Sequence, residues 1–152
     1  MFEIEKYKFT IDSFHTELLN TEPEETGIRL SDEKWSLKDI IGHLIDSASN
    51  NHQRFVRLQF GDLLDFPAYK GEEWLKAQNY QMLDWNTLID LWRNYNYLIL
   101  NVINNMNQTS LENVWVVGEE TITLEELVID YYKHLGIHIE HFRKRVADIE
   151  GK

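Results

Sequence analysis

Three histidines carry the chemical content of this chain. His134 and His138 lie four residues apart in Tyr-Tyr-Lys-His-Leu-Gly-Ile-His-Ile-Glu-His-Phe, residues 131–142. Residues i and i+4 of a helix share one face, so both imidazoles can reach a single metal ion. His43, in Gly-His-Leu-Ile-Asp-Ser, lies about ninety residues upstream on another expected helix. Two imidazoles from one helix and one from a neighbour make a three-nitrogen site with a position left for water or substrate. On a helical wheel His138 falls about 40° to one side of His134 and His141 about 20° to the other, at the border of the apolar stripe. A lone His-x-x-x-His also arises by chance on surfaces and in cores, so the pair needs its third partner to mean a site.

The expected second helix supplies context. Asp39, His43, Ser47, Asn50 and Arg54 form one polar ridge over four turns. A solvated face is the plain alternative. A solvent face in so acidic a chain would carry Glu and Lys more often than Ser, Asn and His, whereas hydrogen-bonding groups beside a ligand suit the wall of a polar pocket. Arg54 is a candidate for an anionic group of a substrate, or else for a surface salt bridge. Asp46 and Asp130 are candidates to orient ligand histidines, or else exposed or capping carboxylates.

These residues must be positioned by helices. Tyr7, Ile11, Phe14 and Leu18 recur at helical spacing within 3–20, and Thr21-Glu22-Pro23 ends that helix. Residues 21–35 read as a connector. Ser36 with Asp39 opens a second helix from Leu37 to about Gln59. Residues 61–84 are irregular, with a short helix around Glu72–Asn79; a connection this long is often a functional lid. Tyr69, Trp74 and Tyr80 within it could cover a pocket, although Trp74 could equally anchor the loop to the core. A third helix spans Trp85 to Asn105. Val114–Val117, Gly118 and Thr121–Thr123 read as an extended excursion around a turn. Thr123-Leu124-Glu125-Glu126 is a capping box that opens the last helix, to about Ile149. Four long amphipathic helices without a sustained strand pattern predict an all-α, four-helix bundle forming one domain over 1–152.

Composition narrows the function classes. The formal net charge of −11 opposes nucleic-acid and anionic-membrane binding. With no cysteine there is no disulfide, thiolate ligand or cysteine nucleophile. No apolar signal core opens the sequence and no run is long enough to span a bilayer, so a cytoplasmic protein is expected.

In order along nearly the whole chain, three segments resemble the DinB-like superfamily of four-helix-bundle metalloproteins, and its YfiT branch of metal-dependent hydrolases. They are Trp35-Ser36-Leu37-Lys38-Asp39-Ile40-Ile41-Gly42-His43 with Ser47, Asn50 and Arg54; Ala68-Tyr69-Lys70-Gly71-Glu72-Glu73-Trp74; and Thr123-Leu124-Glu125-Glu126-Leu127 with Tyr131, His134, His138 and His141. The resemblance implies metal ligands at His43, His134 and His138, with His141 outside the ligand set. Ala48 and Lys70 depart from the acidic residues common in the wider family, and bear on substrate rather than ligands. Imidazole suits Zn and Ni, with Fe and Mn as further candidates. Substrate-binding candidates are Arg54, Asn50, Tyr69 and Trp74. No side chain is assigned catalysis; water acidified by the metal would be the nucleophile. The expected activity is hydrolysis of a small-molecule substrate. Transfer of a low-molecular-weight thiol of the bacillithiol type is the alternative, and a non-catalytic metal-binding bundle a third. The family also implies a homodimer.

Overall fold

The computed structural model describes residues 1–152. Its helices are α1 (Ile4–Leu19), α2 (Leu37–Arg57), α3 (Gly71–Gln78), α4 (Trp85–Asn104) and α5 (Leu124–Glu150), with strands β1 (Val114–Val117) and β2 (Glu120–Thr123) before α5. Four long helices make the bundle. α2 packs on both α4 and α5, α1 packs on α4, and the short α3 lies against α2. The strands form an antiparallel hairpin with Val114 opposite Thr123. Gly118 begins its two-residue loop at φ 60°, where glycine avoids the strain of a side chain. No helix is long and apolar enough to cross a membrane.

Three of the four long helices start on a side-chain cap. At α2, the Ser36 side chain accepts from Asp39 N–H and the Asp39 carboxylate accepts from Ser36 N–H, closing a capping box. Arg29 adds a salt bridge to Asp39 at 2.8 Å. Thr123 and Glu126 form the same box at α5, and the Asp84 side chain caps α4 through Thr87 N–H. The second helix stops at Arg57, two residues short of Gln59. A 3-10 turn over Leu58–Phe60 follows, and Gly61 at φ 146° leaves the helical path.

The core is built on aromatic crossings. The Phe14 ring meets Trp92 edge-on at 5.2 Å and Phe142 at 5.4 Å, joining α1, α4 and α5. α2 is enclosed on most sides. Apolar Leu37, Ile40, Ile41, Leu44, Ala48 and Phe55 are buried, and so are Asp39, His43, Asp46, Ser47, Asn50 and Arg54. The polar ridge is therefore an interior wall.

Residues 61–84 are tied to the bundle. Leu63 bridges to Trp115, with Leu63 N–H on the Val114 carbonyl at 2.9 Å, and the Trp115 indole donates to the Phe66 carbonyl at 2.8 Å. Tyr80 runs under Gly42 and donates to Asp46 at 2.6 Å; it is a core residue and does not cover a pocket.

Two glycines separate close approach from open space. A Cβ at Gly42 would lie 2.1 Å from the Tyr80 ring, whereas at Gly136 it would meet nothing within 4 Å. Gly42→Ala is expected to cost about 1–3 kcal/mol. Gly136→Ala, on an exposed mid-helix face, is expected to gain roughly 0.5–1 kcal/mol. Urea unfolding of the two variants, read by circular dichroism, checks both signs.

Candidate metal centre

α2 and α5 pack together, and that packing joins His43 to the pair on α5. His43 Nε2 and His134 Nε2 lie 3.2 Å apart. One nitrogen from each of His43, His134 and His138 falls within 4.8 Å of the others. Two imidazole nitrogens on a tetrahedral ion at about 2.0–2.1 Å lie roughly 3.3 Å apart. The donor set and its spacing therefore fit one divalent transition metal ion. His138 Nδ1 lies 3.3 Å from His141 Nδ1. His141 neighbours His138 and is not one of the three clustered histidines.

Trp35 closes one side of the cluster. Its ring lies 4.9 Å from that of His43, 6.1 Å from His138 and 5.8 Å from His141. The indole N–H donates to Glu72 at 2.9 Å, and Arg145 Nη1 donates to the Trp35 carbonyl. The first residue of α3, Gly71, sits against His43; a Cβ there would come within 3.2 Å of Nδ1. Gly71 thus serves a close approach that the sequence motif alone did not explain.

Burial sets the charge state. It is the largest cause pushing His43 down to about 3, followed by the positive charge His138, His134 and His141 would carry if protonated. His138 falls to about 4 by burial and then by His134 and His141. His134 and His141 are also lowered, chiefly by burial. At neutral pH the imidazoles are uncharged, the form that ligates metal.

A cavity of about 170 Å³ opens beside His134 and is lined by Ser47, Asn51, Arg54, Tyr69, Asp130 and Tyr131, among others. Of the substrate-binding candidates, Arg54 and Tyr69 are in this wall. Asn50 is not; its amide donates to the Asp46 carbonyl on its own helix at 2.9 Å, and Asn51 faces the cavity instead. Trp74 packs on Tyr69 with ring centroids 5.2 Å apart and lies outside the lining. Asp46 does not hydrogen-bond a histidine of the cluster. Its Oδ1 accepts from Tyr80 and from Gln78 at 2.7 Å. Asp130 borders the cavity without a hydrogen bond to His134. A larger hollow of about 580 Å³ lies around Trp35, Arg29 and acidic Asp32, Glu33, Asp39 and Glu72, and includes no histidine. The smaller cavity reaches the triad through His134.

With this geometry in place, comparison with known proteins defines the class. The family model of the DinB superfamily matches residues 6–142, and the chain belongs to that superfamily. Among solved structures it is similar to YfiT from Bacillus subtilis, described as a probable metal-dependent hydrolase with an unusual four-helix bundle topology. The TM-score is 0.80 at 17% identity, covering 98% of this chain and 88% of that one. The bundle is thus of the DinB/YfiT type. No curated protein matches the sequence.

The depressed histidines carry a pH signature. Their unfolded value is the ordinary 6.5, so the unfolded chain takes up protons first as pH falls. Stability of the metal-free protein should be full above about pH 6.5 and decline as pH drops toward 4 and 3. Thermal melts across this range check it: wild type should lose more stability than His43→Gln. Equal losses would show that His43 does not titrate as its burial requires.

Proposed function

We propose that the whole chain acts as one metal-dependent DinB-like domain. His43, His134 and His138 hold one divalent transition metal, with Zn or Ni first and Fe or Mn as further candidates. The reaction proposed is hydrolysis of a small-molecule substrate entering through the cavity beside His134. The observation that carries this reading is the convergence of three neutral imidazole nitrogens within 4.8 Å, one of which also borders that cavity.

A metal held by three neutral imidazoles keeps its full positive charge and supplies Lewis acidity for activating water. The chain's own residues do the rest. His141 Nδ1 orients the His138 ring through its contact with Nδ1. Trp35 excludes water from the side of the cluster nearest His138 and His141. Arg54 and Tyr69 hold substrate in the cavity, and Trp74 supports Tyr69 from behind. Asn50, bound to its own helix, helps fix the α2 backbone on which Arg54 stands.

Low-molecular-weight thiol transfer uses the same centre, with the thiol brought in by the substrate because the chain has no cysteine. Nucleic-acid and membrane partners are outside the proposal, and the net charge of −11 supports that. A cytoplasmic homodimer is the state proposed for the working protein.

Elemental mass spectrometry on untagged protein tests the centre. About one metal ion per chain is expected in wild type, falling at least tenfold in His43→Ala, His134→Ala or His138→Ala. His141→Ala is expected to retain metal with weakened affinity. Metal-dependent turnover in a hydrolase panel, with none in a thiol-transfer panel, would support hydrolysis; the reverse would favour the transferase. Full activity in a metal-free triple variant would defeat both.

A further inference from the structure

Arg54 is buried, at 5% exposure, in a protein whose net charge is −11, yet it enters no salt bridge. Its guanidinium carries five N–H donors. The one hydrogen bond it makes to protein is from Nη1 to Asn51 Oδ1, at a long 3.4 Å, and its Nε is buried without any partner. Its Cζ lies 4.0 Å from the Trp115 ring centroid and 5.9 Å from that of Tyr69; these rings compensate part of the charge but accept no conventional hydrogen bond. A buried cation left this way costs several kcal/mol unless something pairs with it. The open side of Arg54 is the cavity it shares with Ser47, Tyr69, Asp130 and His134. Asp130, the one carboxylate in that wall, is exposed and does not reach the guanidinium.

We propose that Arg54, with Tyr69 beside it in the same wall, is the seat for the carboxylate of a small organic acid bound next to the three-histidine centre. The planar fork of Nε and NH groups matches a carboxylate's two oxygens. A carboxylate fits better than a phosphate. Arg54 is the one cation in the lining and Asp130 adds a negative charge, so the seat balances a single charge and opposes a second. The volume of about 170 Å³ equals roughly five or six waters, enough for the acid end of a small molecule whose remainder reaches toward His134.

This assigns a substrate class to the cavity and rests on the proposed function for its catalytic meaning, but the seat itself requires no metal. The test therefore uses the full chain stripped of metal. Propionate and, separately, inorganic phosphate are titrated against protein with isotope-labelled tryptophan. The indole N–H resonance of Trp115, assigned with Trp115→Phe, reports on the guanidinium stacked above it. Saturable propionate binding is expected in wild type, with phosphate weaker. Arg54→Met should weaken propionate by roughly tenfold or more, and Arg54→Lys by less, because a lysine keeps the charge without the fork. Asp130→Asn should tighten binding. Should Arg54→Met fail to fold, Arg54→Lys and Asp130→Asn decide. No saturable response in wild type, unchanged affinity across the variants that fold, or phosphate binding tighter than propionate would each overturn the proposal. His43→Ala separates the two readings: it is expected to lose metal while keeping metal-free propionate binding, and loss of that binding would count against an independent seat.

Discussion

Three imidazoles can converge on one point inside a bundle only if all of them are neutral, and that requirement shapes the molecule around α2 and α5. Protonated, the same rings would repel at 4.4–5.1 Å between centroids. Burial removes the charge and brings the nitrogens together at once. It needs the α2–α5 contact on one side, Trp35 on another, and Gly71 close against His43. The cost of bringing polar groups indoors falls on α2. It is met in part locally, with Asp39 tied to Ser36 N–H and Arg29, and Asp46 Oδ1 to Tyr80 and Gln78, while Asp46 Oδ2 and His43 Nδ1 stay buried without a partner. Arg54 stands apart as the buried cation of α2, left without a salt bridge.

The segment between α2 and α4 has two jobs that a mobile loop could not perform. Its early part is fastened to the β1–β2 hairpin by Leu63 and by the Trp115 indole on Phe66. Its late part is fastened beneath α2 by Tyr80 on Asp46. Between those anchors, α3 brings Gly71 to His43, Glu72 to Trp35, and Trp74 to the back of Tyr69. The hairpin contributes to the site in turn, since Trp115 is both the anchor for the loop and the surface under Arg54. Rigidity in the second layer is what holds a binding wall to the tolerance that recognition needs.

Local signals were legible in the sequence and convergent ones were not. Apolar periodicity and the two capping boxes placed the long helices within a residue or two, because caps and amphipathic stripes are local chemistry. The His134–His138 spacing placed both rings on one face for the same reason, and the family motifs pointed to His43 as the third partner. Trp35, Gly71 and Asn51 acquire their roles only when distant elements meet. Asn51 against Asn50 shows the limit: one residue is about 100° on the wheel, and the neighbouring helix decides which amide sees the cavity. Asp46 illustrates it again. Its spacing from His43 suggested an orienting carboxylate, but Tyr80 arrives from the later segment and takes Oδ1.

The likeness to YfiT bears on architecture, and architecture alone does not select a reaction. At 17% identity most side chains differ while the bundle persists over 98% of this chain, as expected when apolar pattern and volume are kept. Chemical argument must come from groups whose placement the bundle does not itself require. Packing could be served by leucine at position 43 or 138, and a methionine could fill the space over Trp115. The chain instead keeps three imidazoles with their nitrogens together, and an unpaired guanidinium in the adjoining wall. Each is costly to bury alone, and each becomes favourable with a partner of opposite character: a cation for the nitrogens, an oxyanion for the arginine. Their sharing of one cavity through His134 argues for a single composite site rather than two unrelated irregularities of the core.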